Sequence, residues 1–133
     1  MREIKFRGKD LLNKWRYGDL IQEKRKIRVK KLVQDKWKIT SIKNEKVYMI
    51  KKDKTAWTVK EETIGQYTGL KDTNGKEIYE GDIVKDIDDN RIGKIKYLDD
   101  MTGFFLLSFS DKCISSIINV EVIGNIYDNP ELL

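Results

Sequence analysis

Basic side chains interleaved with aromatic ones are the residues in this chain best suited to bind a ligand. Cations displace counterions from phosphate groups, and aromatic rings stack on unpaired bases. Nine residues form a candidate site for DNA or RNA: Lys24, Arg25, Lys26, Arg28, Lys30, Lys31, Lys36, Trp37 and Lys38. The same residues also fit a simpler role, a lysine-rich face that keeps the protein in solution while the aromatic rings pack in the core.

The sequence pattern predicts that these side chains lie on β-strands. Residues 36–40 alternate with period two, so an inward-pointing Trp37 would leave Lys36 and Lys38 on one outer face. Residues 22–35 are less distinct, because Val29, Leu32 and Val33 also have helical spacing. β-branched residues fall on the alternating positions, which favours a strand there and leaves a helix as the alternative.

Charge is divided between the two parts of the chain. Residues 1–60 hold 20 Lys and Arg against 7 Asp and Glu, whereas residues 61–133 hold 7 against 15. The net charges are therefore +13 and −8, within a total of +5. Opposite charges of this size attract, either within one molecule or between copies. Self-association, or binding to an acidic host protein, is thus an alternative to nucleic-acid binding.

The fold class predicted is mainly β, with α+β as a variant. Short alternating runs at 46–50 and 94–97 continue the pattern, and Asn74-Gly75 indicates a type I′ hairpin turn. Five short strands after Glu80 suit an SH3-like barrel. We expect a basic β-rich lobe at 1–62 and an acidic SH3-like barrel at 63–133, packed as one compact unit.

Catalytic and metal chemistry find little support in the composition. The chain has no His and one Cys, which removes His-based acid–base catalysis and His-containing zinc sites. Four carboxylates could in principle run a hydrolysis, but their spacing brings no two together: Asp19, Glu77, Glu80 and Asp82. The acidic turn at 86–90 lacks the Gly and Glu of a calcium loop. We predict a binding protein with no catalytic residue, metal or cofactor.

The 133 residues, of 15.7 kDa and pI about 9.2, contain no membrane segment by sequence. The longest apolar run is four residues, whereas a spanning helix needs about twenty. Cys113 has no partner for an internal disulfide. These features predict a soluble protein of a reducing cytoplasm.

Three blocks of sequence together resemble the YopX family of phage and prophage proteins. They are MREIKFRGKD with YGDL (1–10 and 17–20), ETIGQYTGLKD with NGKEIYEGDIV (62–72 and 74–84), and VIGNIYDNPELL (122–133). The resemblance implies a phage or prophage origin in a bacterial host cell, and it implies no activity or catalytic residue. We expect a non-enzymatic phage accessory protein that binds nucleic acid, or else a self-assembling or host-protein interaction module.

Overall fold

Antiparallel strands dominate the computed structural model, which describes residues 3–88, 90–98, 103–107, 112–113 and 119–133. The strands of this part of the chain are β1 (Phe6–Lys9), β2 (Trp15–Val33), β3 (Lys36–Lys52), β4 (Thr55–Val59), β5 (Gly65–Lys71), β6 (Glu77–Tyr79), β7 (Asp82–Asp86), β8 (Ile92–Leu98), β9 (Gly103–Leu107), β10 (Lys112–Cys113) and β11 (Val120–Asn125). Two short 3₁₀ turns, Glu61–Thr63 and Pro130–Leu132, complete the regular structure. The mainly β prediction is confirmed.

The strands form two sheets. One has the order β4-β3-β2-β1-β5-β6, and the other has the order β10-β9-β8-β7-β11. β2 runs through to Val33, so the preference for a strand over residues 22–35 is confirmed up to that residue. The β-branched side chains there suit a pleated surface better than a helix.

Neither sheet closes into a barrel within the described residues, so the predicted SH3-like closure is not observed. β5 pairs with β1 through Phe6 opposite Gln66, and β6 follows β5. The six-stranded sheet therefore takes strands from both sides of the boundary predicted between residues 62 and 63. The division of the chain into lobes 1–62 and 63–133 stays a prediction.

The hairpin between β5 and β6 uses a turn other than the one predicted. Gly75 has a φ of +82°, but Asn74 is not among the residues with positive φ, so the turn is not type I′. The Asp72 carboxylate accepts hydrogen bonds from the backbone N–H groups of Asn74 (2.9 Å) and Lys76 (2.8 Å). This side-chain cap stabilises a longer loop that sequence pattern alone does not indicate.

A small hydrophobic core lies where β6, β7, β8 and β11 meet. Ile78, Val84, Ile95 and Val120 are buried, and Tyr97 and Val122 pack against them. Full burial of an aliphatic side chain contributes about 2 kcal/mol. This cluster fixes β6 of the first sheet against the second.

No helix in the described residues is long and apolar enough to cross a membrane.

Candidate functional site

A long two-stranded ribbon is the main exposed feature of the molecule. β1 pairs with β2 only at residues 15–18, and β4 pairs with β3 only at residues 48–52. Beyond those contacts, β2 and β3 pair only with each other among the described residues. We call residues 22–47 the arm. At about 3.3 Å per residue, the twelve residues from Gln22 to Val33 span about 35 Å.

The arm ends in a two-residue turn at Gln34 and Asp35. Their φ angles are +49° and +60°, and the flanking residues Val33 and Lys36 pair with each other. Two central residues with positive φ define a type I′ turn, whose twist matches that of the strands. Gln34 is an unusual residue for this position, since Asn, Asp and Gly tolerate positive φ best. The absence of a glycine explains why the pattern of the sequence did not reveal this turn.

All nine predicted residues lie on the arm, and all nine are exposed. The pairing register divides them between two faces, because residues directly opposite each other project to the same side. The front face carries Lys24, Lys26, Arg28, Lys30 and Trp37. The back face carries Arg25, Lys31, Lys36 and Lys38. The structure therefore brings five of the nine together on one surface and places the other four behind it.

The register depends on a β-bulge near the middle of the arm. Val29 pairs with Ser41 but Lys30 pairs with Ile39, so Thr40 is the extra residue of β3. The hydroxyl of Thr40 donates a hydrogen bond to the carbonyl of Val29 (3.3 Å). Without this bulge, a one-residue shift would move Trp37 to the opposite face.

Charges on the front face are all positive. No acidic residue occupies that face between Gln22 and Tyr48, whereas the back face carries Glu23 and Glu45. Lys46, which was not among the nine, joins the front face directly opposite Lys24. Its place follows from the strand alternation once the pairing partner is known.

Two pairs of lysines face each other across the arm: Lys24 with Lys46, and Lys31 with Lys38. Like charges directly opposite destabilise a strand pair. Within the described part of the arm, the ion pair found is between Arg25 and Glu23 (3.3 Å), and both side chains are about half exposed. The arm therefore holds cations close together without neutralising them.

Trp37 is exposed, so the alternative in which the aromatic rings pack in the core does not hold for this residue. It retains 70% of its accessible surface, since no element of the described part of the chain covers the end of the arm. Lys36 and Lys38 do share a face, as the alternation predicted, but Trp37 lies on the opposite face and is also open to solvent. For this residue, packing in the core is excluded.

Trp37 belongs to an apolar group that sequence analysis did not assemble. Between 51% and 70% of the surface of each member is exposed. The group, here called the tip cluster, lies on the front face near the turn and consists of Leu32, Trp37, Ile39 and Ile42. The alternating pattern contained these positions, but only the bulge at Thr40 brings Ile39 and Ile42 to the same side.

The start of β2, several residues before the arm, is held by polar contacts around Asp10. Its carboxylate accepts hydrogen bonds from the backbone of Leu12 (2.8 Å) and Lys14 (3.0 Å) and from Nε of Arg16 (2.9 Å). The backbone N–H of Lys14 and the Arg16 guanidinium lower the pKa of Asp10. The Arg16 guanidinium also lies 4.3 Å from the ring centre of Trp57 in β4. These contacts fix the first residues of β2 against its neighbours, in the part of the strand that leads to the arm.

A second polar cluster lies between the sheets. Arg7 in β1 pairs with Asp82 in β7 at 2.7 Å, and their side chains are only 5% and 2% exposed. Burial raises the pKa of Asp82, while the Arg7 guanidinium and the backbone N–H of Tyr79 act to lower it. The two residues are far apart in sequence, so no local pattern pointed to their contact.

The structure also places the remaining carboxylates named from the sequence. Glu80 accepts a hydrogen bond from the backbone N–H of Tyr97 (3.3 Å), and Asp19 is exposed on β2 opposite Lys51. Glu77 is bound to Lys5 (2.7 Å) and accepts a hydrogen bond from the Tyr79 hydroxyl (3.1 Å). In the acidic turn, the Asp86 carboxylate accepts the backbone N–H of Asp88 (3.0 Å), and Asp89 lies outside the described residues. Among described residues, no cluster of three potential metal ligands occurs.

Comparison with known proteins gives a family match and a similar solved structure. The family model described as YopX protein matches residues 5–133. The chain belongs to the YopX family. This member is also similar to a solved structure, the protein EF1440 from Enterococcus faecalis, with 27% sequence identity and a TM-score of 0.49. That similarity covers 100% of this chain and 99% of the other. No curated protein matches this YopX chain.

Proposed function

We propose that this YopX protein binds nucleic acid through the arm and has no enzymatic activity. The observation that carries the proposal is the front face, where Lys24, Lys26, Arg28, Lys30 and Lys46 follow one another on an exposed ribbon without an acidic residue. A polyanion supplies the negative charge that this surface lacks. Phosphate contacts of this kind provide affinity independent of sequence.

The dimensions of the arm suit a duplex. A two-stranded β-ribbon fits the major groove of B-DNA, which is about 12 Å wide. The arm spans about 35 Å, close to the length of one turn of the double helix. Both faces of the arm are exposed, so cations on the back face reach the phosphates that flank the groove. Duplex DNA is therefore the form of nucleic acid that we favour.

The electrostatic strain within the arm supports the same conclusion. The opposed lysine pairs, Lys24 with Lys46 and Lys31 with Lys38, repel each other in the free protein. A phosphate between two ammonium groups turns that repulsion into attraction. An arm that served only solubility would gain nothing from opposing like charges, here one pair on each face.

The tip cluster completes the proposed interface. Its four apolar side chains remain exposed on the same face as the cations. Apolar and aromatic side chains at such positions insert between base pairs or stack on bases. We assign base contact to the tip cluster and backbone contact to the cations behind it.

Reversal of charge on the front face tests the proposal. Binding of a labelled 20-base-pair duplex is measured by fluorescence anisotropy over a series of salt concentrations. We expect the triple variant Lys26→Glu, Arg28→Glu, Lys30→Glu to lose at least about 100-fold in affinity. The slope of log affinity against log salt should become shallower by about 3, since each lost phosphate contact removes about 0.9.

A matched control variant distinguishes the contribution of the arm to affinity from the effect of net charge. The variant Lys51→Glu, Lys52→Glu, Lys54→Glu changes net charge by the same amount at exposed positions beside the β3–β4 turn. It should retain most of the affinity. Equal losses in both variants, or no loss in the first, would overturn the proposal.

Self-assembly, or docking onto a host protein, is the second candidate. The arm strands have unpaired outer edges beyond β1 and β4 in the described chain, and exposed edges template pairing with another strand. Light scattering at low salt tests self-assembly. A mass that is a multiple of 15.7 kDa and falls as salt rises supports it, and a monomer at high concentration rejects it.

We further propose a phage accessory role in the cytoplasm of a bacterial host, from family membership together with the absence of a spanning helix in the described residues. We also propose that the second sheet is related to SH3-like barrels by its strand order, although its described strands stay open. The order β11-β7-β8-β9-β10, in which the first strand lies between the second and the last, supports this.

A further inference from the structure

A cavity of about 380 Å³ lies between the two sheets, away from the arm. Arg7, Trp15 and Tyr17 form one side, from β1 and the first residues of β2. The opposite side comes from β11 and the turn that follows it, including Asn125 and Asn129. Small-molecule sites in proteins typically have volumes from about 300 Å³ upward, so this cavity suits a small ligand.

The acidic groups in the cavity wall are already neutralised by partners. Asp82 is paired with Arg7 at 2.7 Å. Asp128 accepts hydrogen bonds from Nζ of Lys9 and from Nε1 of Trp15 (2.9 Å). Each carboxylate therefore has a positive partner in direct contact.

Two hydrogen-bond donors in the cavity wall, by contrast, lack an acceptor among the described residues. Nε of Arg7 is buried and has no hydrogen-bond partner among the described residues. A buried N–H group without an acceptor is unfavourable and uncommon in folded proteins. The ammonium group of Lys76 also lines the cavity and makes no ion pair or hydrogen bond within the described chain. The cavity wall therefore carries a buried N–H group without an acceptor and a lysine that no described carboxylate contacts directly.

The guanidinium of Arg7 is held in place by two aromatic rings. Its central carbon lies 4.5 Å from the ring centre of Trp15 and 5.0 Å from that of Tyr79. Such stacking fixes the plane of the group and so the direction of its N–H bonds. A preorganised donor of this kind suits an acceptor of defined geometry.

We propose that this cavity binds a small ligand through an oxyanion group, either a phosphate or a carboxylate. Nε of Arg7 and the ammonium group of Lys76 donate to the oxyanion, and the rings of Trp15 and Tyr17 contact the rest of the ligand. The site is separate from the arm and independent of the nucleic-acid proposal.

Nuclear magnetic resonance tests this site directly, because Trp15 provides a reporter. Its indole N–H donates to Asp128 beside the cavity, whereas Trp37 is on the arm and Trp57 is in β4. The intact protein is titrated with inorganic phosphate and, separately, with acetate, at constant ionic strength set by sodium chloride. We expect at least one of them to shift the Trp15 indole signal in a saturable way.

Saturation by phosphate alone identifies a phosphorylated ligand, and saturation by acetate alone identifies a carboxylate ligand. The variant Lys76→Ala should weaken binding at least tenfold, and Lys76 is exposed, so the fold is preserved. The control Lys71→Ala, another exposed lysine, should leave it unchanged. Non-saturable shifts with both anions, or equal binding by the Lys76 variant, would overturn the proposal. A response confined to Trp37 would instead report anion binding to the arm.

Discussion

Trp37 lies directly opposite Leu32 across the arm, one residue pair before the turn. The next pair on the same face is Lys30 with Ile39, and the cations Arg28, Lys26 and Lys24 follow toward the base. The front face thus carries two apolar side chains at the free end, then cations opposite Ile39 and Ile42, and cations without an apolar partner toward the base. Base contact and phosphate contact are separable on such a surface.

Removal of the Trp37 indole ring should weaken nucleic-acid binding without changing the dependence of the affinity on salt. Stacking on an aromatic ring contributes about 1–3 kcal/mol per base, so Trp37→Ala should lose about tenfold in affinity. The slope against salt should stay the same, because no phosphate contact is lost. Val33→Ala, also near the turn but on the back face, is the control in the anisotropy assay. An unchanged affinity of the Trp37 variant would reject base contact by the tip cluster.

One substitution in the turn at the end of the arm should increase the stability of the hairpin. Gln34 has a φ of +49°, and replacement by Asn, which accepts such a conformation better, should stabilise the hairpin by about 0.5 kcal/mol. Amide hydrogen exchange of arm residues should slow in Gln34→Asn by about twofold. Exchange in the second sheet serves as the internal control and should not change. Faster exchange in the arm would contradict the type I′ assignment.

Arg7 and Asp82 form a buried ion pair, so the effects of replacing them on the free energy of unfolding should depend strongly on each other. Loss of one partner leaves an uncompensated buried charge, so Arg7→Met and Asp82→Asn should each lower the free energy of unfolding by about 3 kcal/mol. The double variant should lose less than the two single losses together, because neither charge is then stranded.

Urea denaturation measures these three free energies of unfolding. The exposed pair of Arg25 and Glu23 provides the comparison, and its coupling should be below about 0.5 kcal/mol. Additive losses at Arg7 and Asp82 would show that the pair is not energetically linked.

Asp128 should contribute to stability in a way that depends on pH. Hydrogen bonds from Lys9 and Trp15 lower its pKa to about 2, below the ordinary value of 3.8. A depressed pKa stabilises the folded state at neutral pH, and that stability is lost as pH falls from about 4 to about 2. Because the side chain is 38% exposed, solvent screening reduces the effect to about 1 kcal/mol.

Asp128→Asn should therefore be less stable than the unmodified chain at pH 7, and the difference should shrink below pH 4. Urea denaturation at pH 7, 4 and 2.5 measures it. Glu131→Gln, which alters another exposed carboxylate near the end of the chain, is the control. A constant difference between Asp128→Asn and the unmodified chain at all three pH values would contradict the assigned pKa.

Local patterns in the sequence were enough to predict the strands and the basic segment. The alternation at residues 36–40 and the β-branched residues between 22 and 35 depend only on near neighbours, so the strand character of both stretches was accessible. The concentration of Lys and Arg is a property of composition and required no coordinates. The match to the YopX family likewise follows from the order of residues along the chain.

Local sequence patterns could not predict how segments distant in sequence pair with each other. The bulge at Thr40 decides which face carries Trp37, and a shift of one residue would invert that outcome. The contact of Arg7 with Asp82 and the cavity beside it depend on two sheets meeting. Residues near in sequence set the strands through steric and hydrophobic preferences. Which strands meet, and in what register, depends on the summed free energy of contacts throughout the fold, so only the tertiary structure could decide it.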